Sequence, residues 1–131
     1  KKVQKKKIMK KITVLLLFIS GVTFSQKFSY NKIFSEGYNL KLKGIITVND
    51  SVLSFQENNV ISHLKVIKTV DAGSVKQFKS ETGNEDTEMR ITFNNPKIST
   101  KEMPKMLIIE TKDNFTNTNT SLIYYLTDFN D

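Results

Sequence analysis

The sequence contains no cysteine and no tryptophan, and it has a single histidine among its 131 residues. The lack of cysteine excludes disulfide bonds and a lipid-modified cysteine anchor, so stability must come from side-chain packing and backbone pairing. The lack of tryptophan removes the best stacking surface for sugars, which disfavours carbohydrate binding. Any acid, base or metal chemistry that needs histidine must use His63.

His63 lies in an alternating stretch, on the opposite side from Leu64 and Val66, so we expect it to face solvent. A serine nucleophile needs a base within hydrogen-bond reach, and the neighbouring Ser62 would point to the other face of the strand. The chain has neither a nucleophile motif nor a phosphate loop. We therefore predict that the protein is not an enzyme and has no catalytic residues.

Positive charge is concentrated at the N-terminus. The whole chain has a formal net charge of +7, yet residues 1–25 hold seven lysines and no acid, while residues 26–131 hold thirteen basic and thirteen acidic side chains. Binding to a phosphate backbone requires clustered positive charge. The neutral remainder of the chain therefore predicts no nucleic-acid partner.

Residues 1–25 have the layout of a secretory signal peptide. Lys10 and Lys11 precede an apolar run over residues 12–22, and the small residue Ser25 follows it. The run is interrupted and is shorter than the roughly 20 apolar residues that a membrane span requires. We predict a signal-peptide helix, cleavage beside Ser25, and export without a transmembrane anchor.

The lysine-rich residues 1–8 add nothing that a signal peptide needs. We therefore predict that translation starts at Met9, with 1–25 as leader and signal peptide and 26–131 as a single domain of 106 residues. Within that domain Val, Ile and Thr total 27 residues, whereas alanine occurs once. This composition favours sheet over helix.

Residues 38–48 predict a strand with one buried face. The apolar side chains of this stretch stand mainly at even-numbered positions and therefore point to the same face of a strand. Gly44 also lies on this face near the centre of the stretch, and a missing side chain there often marks a bend or the close approach of another strand. The side chains expected on the buried face are Tyr38, Leu40, Leu42, Ile46 and Val48.

Further strands follow, separated by polar turns: residues 53–56, 60–70, 75–79, 89–93, 106–111 and 122–126. The stretch 60–70 is expected to be partly covered on both faces. The apolar residues of 27–37 follow neither the repeat of a helix nor the alternation of a strand. This stretch is interpreted as an extended arm or a short edge strand, with a helical turn as the alternative. The pattern predicts an all-β domain, a single antiparallel meander of about seven strands. Closure into a partly closed small barrel, or alternatively a β-sandwich, would remove exposed edges.

The acidic side chains of residues 81–88 raise the question of calcium binding. The ordered spacing of an EF-hand loop is missing, and charged hairpin loops are ordinarily solvated. We predict no metal site and no cofactor.

The end of the signal, Phe24, Ser25 and Gln26, together with the stretches GIITVNDSVLSF and LIYYLTDF, resembles small secreted proteins of Bacteroidetes, particularly flavobacteria. The resemblance implies a periplasmic, outer-surface or secreted location. The group has no established activity, so no catalytic residue carries over.

The leading functional hypothesis is an exported, non-enzymatic, monomeric binding or interaction domain that uses either the barrel interior or the exposed loops. Use of the interior would make it a lipocalin-like binder of a small apolar ligand. A structural accessory protein that pairs an edge strand with an envelope protein is the second hypothesis, and a small hydrolase is the third. A void of about 300 Å³ or more would favour the ligand binder. Its expected lining residues are Leu42, Ile46, Phe55, Ile91 and Tyr124.

Overall fold

The computed structural model describes residues 25–129, so the predicted signal peptide, its helix and the start at Met9 lie outside the described residues. Within residues 25–129 the chain forms only strands and connections, and no helical segment there has the length and apolarity needed to cross a bilayer. The nine strands are β1 (Gln26–Ser35), β2 (Tyr38–Leu40), β3 (Gly44–Val48), β4 (Val52–Glu57), β5 (Val60–Ala72), β6 (Val75–Ser80), β7 (Thr87–Asn94), β8 (Met106–Asp113) and β9 (Thr118–Asp128).

The sheet closes on itself through β1. Consecutive strands pair in antiparallel fashion from β3 to β9, and β1 pairs with both β3 and β9. Tyr30 therefore lies opposite Gly44 on one side and opposite Leu126 on the other. The result is a closed barrel of eight strands with β2 as an additional strand. The predicted all-β antiparallel meander and small barrel are confirmed, and closure is complete.

A β-bulge in β1 interrupts the alternation of inward and outward side chains. The register with β9 runs from Phe28 to Tyr30, skips Asn31 and resumes at Lys32. The extra residue moves the inward side from Phe28 and Tyr30 before the bulge to Ile33 after it, and all three of these side chains are buried. The expected arm, edge strand or helical turn over residues 27–37 is therefore wrong, because this stretch is the strand that closes the barrel.

The single strand expected over residues 38–48 is divided into β2 and β3 by the connection 41–43. Ile46 and Val48 in β3 are buried as predicted. Tyr38, Leu40 and Leu42 are exposed, so their assignment to the buried face is wrong. The physical reason is that β2 pairs only with the part of β1 beyond the bulge, so it lies outside the barrel wall.

Strand β5 has an uncovered outer face. Its first half pairs with β4 and its second half with β6, with an irregularity at Ile67 between the two halves. Ile61 is 56% exposed, so the expectation that residues 60–70 are partly covered on both faces is wrong. Among residues 25–129 no other element packs on this outer face, because in a single barrel only the interior side of a strand is covered.

The two ends of the barrel differ in what they contain. Strand alternation places the connections 36–37, 58–59, 81–86 and 114–117 at one end, the mouth end, and the connections 49–51, 73–74 and 95–105 at the opposite end, the closed end. Apolar side chains fill the interior through its middle and towards the closed end, where Phe28 and Phe93 meet edge to face at 5.3 Å between ring centroids. The core consists of Phe28, Tyr30, Ile33, Ile46, Val48, Leu53, Phe78, Ile91, Phe93, Leu107, Ile109 and Leu126.

Gly44 marks a close approach, as its position on the buried parity predicts. The Tyr30 ring lies directly against the Gly44 backbone, and a Cβ atom built on Gly44 would overlap both that ring and the carbonyl oxygen of Gln56. The φ angle of Gly44 is not positive, so space rather than conformational freedom is what requires glycine here. An aromatic ring covering a glycine in a neighbouring strand also fixes the register of the pair.

Substitution of Gly44 by alanine should therefore destabilise the barrel. We expect Gly44→Ala to lower the free energy of unfolding by about 1–3 kcal/mol, because the overlap with a backbone atom can be relieved only by moving strands. Ile61→Ala on the exposed face of β5 provides the control and should stay within about 0.5 kcal/mol of the wild type. Urea denaturation measures both variants, and a wild-type value for Gly44→Ala would contradict this account.

Candidate functional site

A cavity of about 490 Å³ opens to solvent at the mouth end of the barrel, where its lining residue Val60 is 65% exposed. Its walls come from six strands and from the β4–β5 turn, so it spans the interior rather than following one edge. The volume exceeds the roughly 300 Å³ that a small-molecule site requires. The lining residues are Tyr30, Phe55, Glu57, Asn58, Val60, Ser62, Leu64, Met89, Ile109, Thr111, Leu122 and Tyr124.

The floor of the cavity is the packed core. Several of its lining side chains are only partly buried and pack against that core, namely Phe55, Leu64, Met89, Leu122 and Tyr124. One side of each contacts fixed core atoms, and the remainder contributes to the cavity wall. The cavity therefore has a mainly apolar floor supported by close packing, which holds its shape.

Three aromatic rings form a contiguous part of the wall. Tyr30 and Tyr124 meet edge to face, with centroids 5.0 Å apart and an interplanar angle of 78°. Phe55 lies against Tyr124 at 5.6 Å with an angle of 44°. Each such pair contributes about 0.5–1.5 kcal/mol beyond its buried area, so the rings stabilise one another as well as the wall.

Glu57 is the only charged residue in the cavity lining. It follows Leu53 and Phe55 on the inward parity of β4, one residue before the turn, and within residues 25–129 it forms no ion pair. Burial, then the Glu57 carboxylate and then Tyr124 raise the pKa of Tyr30 to about 12. Burial and Glu57 also raise the pKa of Tyr124. Burial is the larger cause in both cases, and Glu57 adds to it because its negative charge opposes ionisation of a nearby phenol.

Of the five residues expected to line an interior site, only some lie at the cavity. Phe55 and Tyr124 line the cavity. Ile46 and Ile91 are 0% exposed and belong to the filled part of the core, below the cavity. Leu42 lies in the connection 41–43 and is 39% exposed, so it is outside the interior because this connection leaves the barrel wall.

Sequence reasoning missed Tyr30 and Glu57, and each left a different signal. Tyr30 was hidden by the bulge at Asn31, which breaks the alternation with Ile33. Glu57 shares the parity of Leu53 and Phe55, so a carboxylate on an apolar face was visible in the sequence. The strand predicted over residues 53–56 stops one residue before Glu57, so the prediction did not assign this side chain to the interior.

The outer wall carries a serine–histidine contact. His63 Nδ1 lies 2.9 Å from Ser54 Oγ across β4 and β5, and both side chains face solvent, as predicted for His63. Within residues 25–129 no carboxylate hydrogen-bonds His63, whereas a catalytic triad uses an acid to orient its base. The same part of the chain holds no group of three or more His, Cys, Asp or Glu side chains that could bind a metal ion. The pair is a cross-strand hydrogen bond on the barrel surface.

A scan against protein-family models found no match to this chain, and searches of curated proteins and of solved structures found none either.

The raised pKa of Tyr30 predicts a loss of stability at alkaline pH. The folded protein keeps this phenol proton up to about pH 12, whereas the unfolded chain releases it near the ordinary tyrosine pKa of about 10. Between these values the native state binds more protons than the unfolded state, so stability falls as pH rises through this window. Urea denaturation across the window should show a smaller fall for Tyr30→Phe than for the wild type.

Tyr38→Phe is the matched control, because it removes the same hydroxyl from a side chain that is 74% exposed and outside the cavity. Its stability should follow the wild-type curve. An equal fall for all three proteins would contradict the assignment of a buried phenol to Tyr30.

Proposed function

We propose that the protein is an exported, non-enzymatic and monomeric binding domain that holds a small, largely apolar ligand in the cavity at the mouth end. The observation that carries this proposal is the cavity itself, about 490 Å³ bounded by inward side chains of a closed barrel. Barrels of eight strands have an interior that can hold one small ligand when side chains do not fill it. Small-molecule sites have volumes of about 300–1,000 Å³ and largely apolar walls with a few polar groups.

The cavity lining likewise combines apolar walls with a few polar groups. Leucine, isoleucine, methionine and aromatic side chains supply the floor and most of the wall, while Ser62, Thr111 and Glu57 supply isolated polar groups. Apolar groups provide affinity through burial of surface, and isolated polar groups orient the ligand. The floor packs against a core that contains fully buried Ile46 and Ile91, so the binding surface is formed before a ligand arrives.

Export is part of the proposal and is supported by the position of the first strand. Strand β1 begins at Gln26, directly after the predicted cleavage site, so removal of residues 1–25 would leave every described strand in place. The location that follows from this proposal is periplasmic, outer-surface or secreted.

Edge-strand pairing with an envelope protein is the second candidate function, and β2 is the feature that favours it. Among the described strands β2 is the one that pairs on a single side along its whole length, and its Tyr38 is 74% exposed. It has three residues, which offers few backbone hydrogen bonds to a partner strand. The cavity therefore supports ligand binding more strongly than β2 supports strand addition.

Filling the cavity should weaken ligand binding. We expect the neutral dye Nile red to bind the wild-type protein in a one-to-one complex with increased fluorescence, and Leu64→Trp to weaken binding by about tenfold or more, because the larger side chain occupies the cavity. Fluorescence titration measures both affinities. Circular dichroism and thermal unfolding show whether the variant keeps the fold.

Ile61→Trp is the matched control, since Ile61 lies on the outer face of the same strand and is exposed. It adds the same ring without entering the cavity and should bind the dye as the wild type does. Absence of dye binding to the wild type, or equal binding by a folded Leu64→Trp variant, would overturn the proposed site.

A further inference from the structure

The Glu57 carboxylate constrains what can fill the cavity. It is the only charged group in the lining, and no basic side chain lines the cavity or pairs with it within residues 25–129. A neutral ligand that covered Glu57 would remove water from a negative charge without replacing its interactions, which is costly. A ligand with a positive group at this position would compensate the same charge.

The aromatic rings beside Glu57 favour the same charge. Tyr30, Phe55 and Tyr124 form one contiguous surface, and aromatic faces attract cations within about 6 Å of the ring centroid. A carboxylate together with several aromatic rings is the arrangement by which proteins bind ammonium groups without burying an unpaired charge.

The protein's own cations contact aromatic rings elsewhere. Lys32 Nζ lies 4.9 Å from the centroid of the Tyr125 ring, and Lys27 Nζ lies 5.4 Å from that of the Phe129 ring. Neither of these rings lines the cavity, and Tyr125 is on the outer face, opposite to its neighbour Tyr124. Within residues 25–129 the rings inside the cavity have no cation partner from the chain, so a cation from outside can occupy that position.

The connections at the mouth end also carry negative charge. The connection 41–43, which enters β3 at this end, holds Lys41 and Lys43, but residues 36–37, 58–59, 81–86 and 114–117 include four acidic side chains and no basic one, so acidic side chains are in excess. One of them is paired, since Glu81 lies 3.6 Å from Lys65. Negative charge around an entrance raises the local concentration of cations and the rate at which they enter. The acidic residues are Glu36, Glu81, Glu85 and Asp86.

From this combination we propose that the ligand is an amphiphilic organic cation, whose ammonium group lies between Glu57 and the Tyr30, Tyr124 and Phe55 rings and whose apolar body lies on the cavity floor. This inference rests on the proposed function, because it specifies the ligand class of the same cavity. The ammonium group faces the mouth end, because Glu57 is next to the β4–β5 turn, and the apolar body faces the packed core.

Three probes with the same octyl chain test the proposal on the wild-type protein: octyltrimethylammonium, octanol and octanoate. Isothermal titration calorimetry below the micelle concentrations measures each affinity. The probes differ only in the head group, which is positive, neutral or negative. We expect octyltrimethylammonium to bind at least about tenfold more tightly than octanol, because its cation compensates the Glu57 carboxylate, and octanoate to bind more weakly than octanol, because its negative charge is repelled. Equal or tighter binding of octanol or octanoate would overturn the inference while leaving the proposed function intact.

Glu57→Gln tests the named carboxylate with little change in size. It should reduce the affinity for octyltrimethylammonium by about tenfold and leave that for octanol unchanged. Glu110→Gln, which removes the same charge from the exposed outer face of β8, should leave both affinities unchanged. A wild-type preference for the cation in a folded Glu57→Gln variant would overturn the assignment, and failure of all three probes to bind the wild type would overturn the proposed function as well.

Discussion

Pairing of β1 with both β3 and β9 is the constraint on which the rest of the structure depends. Without β1 the meander would have two free edges and an interior open along one side. The bulge at Asn31 lets this one strand serve both neighbours, because it shifts the inward face from Tyr30 to Ile33 while the pairing with β9 continues. The fit of the Tyr30 ring against Gly44 fixes the register of β1 and β3. Closure, core and cavity wall therefore share the same short segment of the chain.

The size of the inward side chains determines where the barrel is solid and where it contains a cavity. Phenylalanine, leucine and isoleucine fill the middle and the closed end at core packing density. Near the mouth end several inward positions hold shorter side chains, such as Ser62 and Thr111, which cannot reach the opposite wall. The cavity thus arises because inward side chains become smaller towards the mouth end, while the pairing of the strands continues. The cavity therefore combines a floor supported by the core with a wall that carries one carboxylate.

Uninterrupted alternation made the strands and their inward faces predictable from the sequence. Met89, Ile91 and Phe93 face inward as the pattern indicates, and Phe55 and Tyr124 reach the cavity. Prediction failed where the backbone departs from the period of two, at the bulge in β1 and at the connection 41–43, because one extra residue reverses every later assignment. Only the three-dimensional register shows which inward residues reach the cavity, because its walls come from strands far apart in the sequence. For that reason the sequence could predict that Ile46 and Ile91 face the interior. It could not show that they belong to the packed core and do not line the cavity.

Tyr30 belongs to both the closing strand and the cavity wall, and this gives ligand binding a consequence for folding. An occupant that contacts the Tyr30 ring stabilises the native state by mass action, since the ring has its position only in the folded barrel. The stabilisation acts at the seam between the first and last strands, where a closed sheet must open if it is to unfold from an edge. If the barrel binds a ligand as proposed, occupied barrels open at this seam less often than free ones, and a protein without disulfide bonds gains resistance to proteolysis from its ligand.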